Sequence, residues 1–220
     1  MPVYYGVSGK ARLVTKGYYG VNGKSELIIG NNEVPSGYIQ YKYIYKTHND
    51  SYIYIPTTIN TFTQIICNFA IKSDGTTKPI GNLFYSSQYY ASIDSGACYI
   101  VKASSKYTSN ALNEKQEYTI NLTKNTNGDC YFNNAKIFTN IETFSSNSYI
   151  EILDSGIAKT LYISGLELYN LNTQKSLLRL IPCVKINSNI AGFYDTVSKQ
   201  FYDNSSSYVS DYTIQCTNSL

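Results

Sequence analysis

From Tyr38 onward the chain is a succession of short runs rich in Tyr, Ile and Thr, broken by turn residues every 8–12 positions or so. Tyr, Ile and Thr fit the pleated, half-buried surface of a sheet, whereas Asn, Ser and Gly supply the positive φ angles and local hydrogen bonds of turns. Ser73-Asp74-Gly75, Asn127-Gly128-Asp129 and Asp154-Ser155-Gly156 are turns of this kind. Strands are expected at 38–45, 51–56, 63–71, 83–85, 89–93, 97–102, 117–123, 128–132, 135–138, 149–153, 161–171 and 177–184. Segments 192–195 and 200–203, Gly-Phe-Tyr-Asp and Gln-Phe-Tyr-Asp, echo one another across a short turn, as two strands of a hairpin would. Only 109–115 has the composition of a helical turn. The pattern predicts an all-β chain folded as a sandwich or barrel.

The first 25 residues are of another kind. Tyr4-Tyr5-Gly6-Val7-Ser8-Gly9-Lys10 returns as Tyr18-Tyr19-Gly20-Val21-Asn22-Gly23-Lys24, and Leu13 returns as Leu27. Each copy reads as a hairpin, 3–7 with 10–14 and 18–21 with 24–29, because Ser-Gly and Asn-Gly supply the turn. Four such strands in about thirty residues cannot bury an independent core. They must lie on the rest of the chain, pair with copies in other subunits, or dock on another protein. Lys10, Arg12, Lys16 and Lys24 against Glu26 give this stretch the whole net charge of +3, and the remainder is balanced. A weakly basic preface suits an acidic partner surface but lacks the dense stripe of a nucleic-acid binder. A polar, turn-rich linker at 31–37 divides the chain into a repeat, 1–34, and a body, 35–220.

Cys67, Cys98, Cys130, Cys183 and Cys216 are widely spaced, without a C-x-x-C, and His48 is the one histidine, so no zinc site is expected. An odd thiol count and no leader pattern at the start predict reduced, mostly buried cysteines in a chain that folds in a cytoplasm. No apolar run of about 18 residues occurs, so no membrane span is expected.

Catalytic chemistry is thin. His48 lies in the polar stretch Lys46-Thr47-His48-Asn49-Asp50, reads as an exposed turn residue, and has no Gly-x-Ser-x-Gly elbow to serve. Glu151 and Asp154, three apart at a strand end, are expected on different faces of the sheet, which disfavours a carboxylate pair. Glu142, Glu151 and Glu167 read as rim or solvent-face residues. Asp74, Asp94, Asp154 and Asp195 read as turn caps rather than calcium ligands, since none belongs to a dense Asp/Asn loop. No catalytic residue, cofactor or metal is therefore expected. The 24 tyrosines, in a chain without Trp, carry what functional signal remains. Their flat apolar faces and hydroxyls suit both protein interfaces and stacking on sugar rings. Tyr85, Tyr89 and Tyr90 are the candidate glycan contacts.

Two stretches of the body resemble a known family. Gly37-Tyr38-Ile39-Gln40-Tyr41-Lys42-Tyr43-Ile44, followed by Tyr52-Ile53-Tyr54-Ile55, is similar to the opening strands of concanavalin-like, laminin-G-like domains in phages and gut bacteria. Leu180-Ile181-Pro182-Cys183, Gly192-Phe193-Tyr194-Asp195-Thr196-Val197 and Phe201-Tyr202-Asp203-Asn204 resemble the final strands of the same domains, with Ser205-Ser206-Ser207 where a Gly-rich tail is usual. The opening repeat resembles the Y-V-G-V-N-G-x-A-R-x-V units that begin many phage and prophage virion proteins of low-GC bacteria.

These resemblances imply a concanavalin-like (jelly-roll, laminin-G-like) β-sandwich. They imply a non-enzymatic structural component of a phage or phage-like particle, made in the bacterial cytoplasm and displayed on the virion as a tail, fibre or surface protein. Expected partners are other virion proteins, a host-surface glycan and further copies of the chain, a trimer being the form that fibres commonly take. Neither nucleic acid nor membrane is expected as a partner. Tyr4, Tyr5, Lys10, Arg12, Tyr18, Tyr19 and Lys24 are the expected attachment or oligomerisation residues. The alternative is a secreted or surface lectin-like protein of a gut bacterium, and a third reading is a glycoside hydrolase using Glu151 or Glu167.

Overall fold

The computed structural model describes residues 33–56, 63–73, 75, 78–85, 89–102, 105–123, 129–138, 149–207 and 209–220, and the backbone of four strands before them. Those four are β1 (Tyr4–Val7), β2 (Lys10–Leu13), β3 (Gly17–Val21) and β4 (Lys24–Ile29). β1 pairs antiparallel with β2, closing on Val7 opposite Lys10, and β3 pairs with β4, closing on Val21 opposite Lys24. Each copy of the repeat is thus a hairpin. Its turn residues, Ser8-Gly9 and Asn22-Gly23, lie outside the described residues.

The body contributes β5 (Tyr38–Gln40), β6 (Tyr43–Lys46), β7 (Ile53–Pro56), β8 (Gln64–Ile71), β9 (Gly81–Tyr85), β10 (Tyr89–Asp94), β11 (Ala97–Lys102) and β12 (Ser105–Ala111). It continues with β13 (Glu117–Thr123), β14 (Cys130–Phe132), β15 (Ala135–Phe138), β16 (Tyr149–Ile152), β17 (Leu161–Asn170), β18 (Lys175–Lys185), β19 (Ile190–Asp195), β20 (Phe201–Tyr202) and β21 (Ile214–Thr217). A 3-10 turn at Asp211–Thr213 precedes β21.

Among the described residues these strands form two antiparallel sheets. The smaller has six strands in the order β12-β11-β10-β9-β16-β7. The larger has eleven, running β15-β14-β13-β8-β17-β18-β19-β20 with β5, β6 and β21 attached beside it. Alternation along each strand turns Ile65, Cys67 and Phe69 of β8 and Leu166 and Leu168 of β17 inward from the larger sheet. Ile53, Ile55, Ile150, Ile152, Ile93 and Ile100 turn inward from the smaller, and all of them join one buried cluster. Two sheets that share a core in this way are consistent with a β-sandwich.

Two irregularities position the exposed faces. In β9, Phe84 stands opposite Ala91 and Asn82 opposite Ser92, so Leu83 is an extra, bulged residue and both Leu83 and Phe84 are buried. In β17, Ile163 pairs with Ile44 of β6, but from Leu166 onward the same edge pairs with β18. The ladder therefore forks at Ser164-Gly165, where β17 also bulges against β8.

Two expectations are corrected. The run 38–45 is not one strand. Tyr41 donates its N–H to the Pro182 carbonyl (2.9 Å) and Lys42 to Asn218 Oδ1 (2.9 Å), so the chain leaves β18 and starts again beside β17 and β21. Its imperfect alternation reflects this, since neighbouring Tyr43 and Ile44 are both buried, one on each side of the sheet. Residues 109–111 complete β12 instead of beginning a helical turn, because pairing with β11 overrides the local preference and Ser109 Oγ accepts the Cys98 N–H (2.9 Å). The turn comes later, at Glu114-Lys115.

Buried polar residues tie the loops down. Lys46 is only 2% exposed, and its ammonium donates to the carbonyls of Asn49 (2.7 Å) and Ser155 (2.5 Å). Burial pushes this lysine down to about 8, against the opposing pull of Asp154 and Asp50. Asp195 is 1% exposed and accepts the N–H groups of Arg179 (2.9 Å), Val197 (3.0 Å) and Ser198 (2.9 Å). It is a turn cap, as expected, holding the β19–β20 hairpin to β18.

Candidate functional site

The outer face of the smaller sheet is a field of tyrosines. Because Ile53, Ile55, Ile150 and Ile152 face the core, alternation turns Tyr54, Tyr149 and Glu151 outward. Glu151 stands opposite Tyr54 on one side and Tyr85 on the other, and Tyr85 stands opposite Tyr90. Tyr90 then faces Val101, and Val101 faces Lys106, so one row crosses all six strands. At strand spacings of about 4.8 Å, Tyr54 and Tyr90 lie about 14 Å apart across the sheet. The Tyr54 and Tyr149 rings stack at 5.3 Å and 25°, and the Tyr85 and Tyr90 rings lie 6.1 Å apart. Lys106 Nζ sits 3.8 Å from the centre of the neighbouring Tyr99 ring.

Acceptor groups stand among these rings, and here the structure corrects the sequence reading. Ile152 and Leu153 are both buried, and Leu153 adopts φ +60°, so the in–out alternation breaks after Glu151. Asp154 returns to the same side as Glu151 and accepts a long hydrogen bond from Asn82 Nδ2 (3.4 Å). Burial pushes the Glu151 carboxyl up, and Asp154 adds to the shift. The Tyr149 hydroxyl is likewise raised, by burial first and then by Glu151. The arrangement offers flat apolar rings flanked by carboxylate acceptors, which suits a polyol whose hydroxyls donate at its edge.

The outer face of the larger sheet carries a groove of about 290 Å³ at the fork in β17. Ile66 and Asn68 of β8, Gly165 and Glu167 of β17, Arg179 of β18 and the Tyr41-Lys42 crossover line it. The charges around it are paired. Arg179 holds Glu33 through two contacts (2.6 and 3.0 Å), and Lys42 holds Glu117 (3.0 Å). Glu167 accepts a short hydrogen bond from Ser176 Oγ, and Asn68 Oδ1 accepts one from Thr119 (2.7 Å). The Glu117 carboxyl is held below its ordinary range, chiefly by the Tyr43 hydroxyl and then by Lys42.

The other expected residues are scattered. Tyr4, Tyr5, Lys10 and Arg12 lie on β1–β2, with Tyr5 opposite Arg12. Tyr18, Tyr19 and Lys24 lie on β3–β4, with Tyr19 opposite Glu26. The side chains of all seven lie outside the described residues, as does that of Tyr89. Glu142 and Asp74 lie outside them altogether. His48 is exposed, 3.7 Å from Asp50. Glu167 is at the groove, away from Glu151. Asp94 accepts a hydrogen bond from Ser95 Oγ (3.0 Å), and no cluster of three His, Cys, Asp or Glu able to hold a metal occurs among the described residues. Of the Asp residues read as turn caps, Asp195 is one in the structure, both its carboxylate oxygens accepting main-chain N–H groups.

Sequence reasoning missed Tyr54, Tyr149 and Arg179. Alternation in Ile53-Tyr54-Ile55 and Tyr149-Ile150-Glu151-Ile152 marks the outward positions, but no local signal says that β7 and β16 are neighbours. Among the described residues no helix is long and apolar enough to cross a membrane. No protein-family model matches the chain, and no curated protein matches it.

Proposed function

We propose that the chain is a non-enzymatic structural component of a phage or phage-like particle, a tail, fibre or virion-surface protein. Its body would be a concanavalin-like, laminin-G-like sandwich that touches host glycans through the tyrosine face. The observation that carries the glycan reading is the outward row Tyr54, Glu151, Tyr85 and Tyr90, with Tyr149 stacked on Tyr54 and Asp154 near Glu151. The hairpin repeat, lacking the bulk for a core of its own, is the attachment or oligomerisation element, with other virion proteins or two further copies as partners. Nucleic acid and membrane have no part in this reading.

Glycan-array binding by the full chain is the test. The variant Tyr54→Ala/Tyr149→Ala is expected to bind at least tenfold more weakly, about 1.4 kcal/mol. No binding by the full chain at roughly millimolar ligand would overturn the adhesive role. The lectin-like alternative predicts the same binding, so fractionation separates the two: the chain is expected in purified particles, not in culture medium. Solution mass measures the role of the repeat. The full chain is expected as an oligomer and a chain beginning at Asn31 as a monomer, whereas two monomers would leave docking on another virion protein. Placement of Glu151 and Asp154 on one side favours glycoside hydrolysis as a second reading. Polysaccharide cleavage that is lost in Glu151→Gln would establish it.

A further inference from the structure

We propose that the groove on the larger sheet is a second ligand site, independent of the tyrosine face, which takes a single uncharged sugar ring. The recess is part of the fold. It exists because β17 parts from β6 before β18 joins it, and because the residue at the parting is Gly165. A Cβ on Gly165 would meet only the Leu180 carbonyl, at 3.5 Å, so the space above it is open. At about 290 Å³ the groove stands at the low end of small-molecule sites, which run from about 300 to 1,000 Å³, and suits one ring better than a chain of rings.

The lining fits an uncharged polyol. Arg179, Lys42 and Glu167 each already have a partner, and the two cations are matched by Glu33 and Glu117. With each cation already matched by a carboxylate, a charged ligand would bring a charge that the lining leaves without a counter-charge, whereas hydroxyl groups can add to the donor and acceptor sites that remain on each. Ion pairs and hydrogen bonds hold the polar groups in place before any ligand arrives, which lowers the ordering cost of binding. Ile66 and Tyr41 supply apolar surface for the C–H face of a pyranose.

The test is an amide NMR titration of the full chain with methyl glycosides of glucose, galactose, mannose and N-acetylglucosamine, beside glucuronic acid and glucose 6-phosphate. At least one uncharged glycoside is expected to shift the amides of Asn68, Gly165 and Glu167, with millimolar-range affinity unaffected by added salt. Gly165→Leu is expected to abolish those shifts and to leave binding at the tyrosine face intact. Equal binding of the methyl glycoside and of a longer oligosaccharide ending in the same sugar identifies a glycan terminus as the source. Binding of the small glycoside alone identifies a free sugar. Three results would overturn the proposal: no shift with any uncharged probe, preference for a charged probe, or shifts confined to the Tyr54, Tyr85 and Tyr90 amides. All three are read on the unmodified chain, so they stand even if Gly165→Leu does not fold.

Discussion

Asp195 concentrates more main-chain bonding on one side chain than its place in a turn would suggest. Its carboxylate accepts the N–H of Arg179 from β18 and the N–H groups of Val197 and Ser198 from the turn, all at 2.9–3.0 Å and out of solvent. Hydrogen bonds to a charged acceptor are each worth about 1.5–3 kcal/mol, and a donor left buried without one costs about 1–3 kcal/mol. Asp195→Ala is therefore expected to lower unfolding free energy by about 3 kcal/mol in urea, with Asp195→Asn in between. A loss under about 1 kcal/mol would mean that water satisfies these donors. The same residue ends the Gly-Phe-Tyr-Asp stretch at the end of β19.

At the scale of elements, Glu33 and Val34 at the end of the polar linker are anchored on the body. Val34 is buried with Ile181, Cys183 and Tyr194, and Tyr38 and Phe201 pack against them. Glu33 is pinned twice by Arg179, and its N–H donates to Gln40 Oε1 (2.9 Å). These two residues, assigned by sequence to the repeat side, lie on the sheet that forms the groove. Burying a Val-sized side chain stabilises by about 1.5 kcal/mol, and a half-exposed ion pair adds up to about 1 kcal/mol. A chain beginning at Asn31 should thus be more stable than one beginning at Pro35 by about 2 kcal/mol, or roughly 5 °C in melting temperature for a body of this size. Equal melting temperatures would show that the contacts of Glu33 and Val34 contribute nothing net.

Over the whole molecule, what is legible in sequence is what depends on neighbours in the chain. Period-two alternation and turn residues locate most strands, both copies of the hairpin repeat and the β19–β20 hairpin. What escapes depends on pairing between distant segments. Leu83 beside Phe84 and Ile152 beside Leu153 break alternation because bulges and a positive φ let consecutive residues face the core, so Asp154 emerges next to Glu151 against expectation. The groove arises from a fork between β6 and β18, which no single segment encodes.

The cysteines are legible in a different way, through hydrophobicity. Cys67, Cys98 and Cys183 are buried free thiols, and Cys216 is a partly buried one. Burial pushes the thiols of Cys98 and Cys183 up to about 12 and raises those of Cys67 and Cys216 as well. An unfolded thiol ionises near 8.5, so above that pH the unfolded chain binds fewer protons than the folded one and stability falls. Each thiol should remove about 1.4 kcal/mol per pH unit above about 8.5, Cys98 and Cys183 doing so up to about 12. Lys46, held down to about 8, works in the opposite sense: its charging penalty is complete below that pH and is relieved up to about 10.5. Four thiols outweigh one lysine. Under reducing conditions the urea midpoint is therefore expected to drop steeply from about pH 9 to 10, and less steeply in Cys98→Ala. A flat profile would mean that these thiols already reach water in the folded chain.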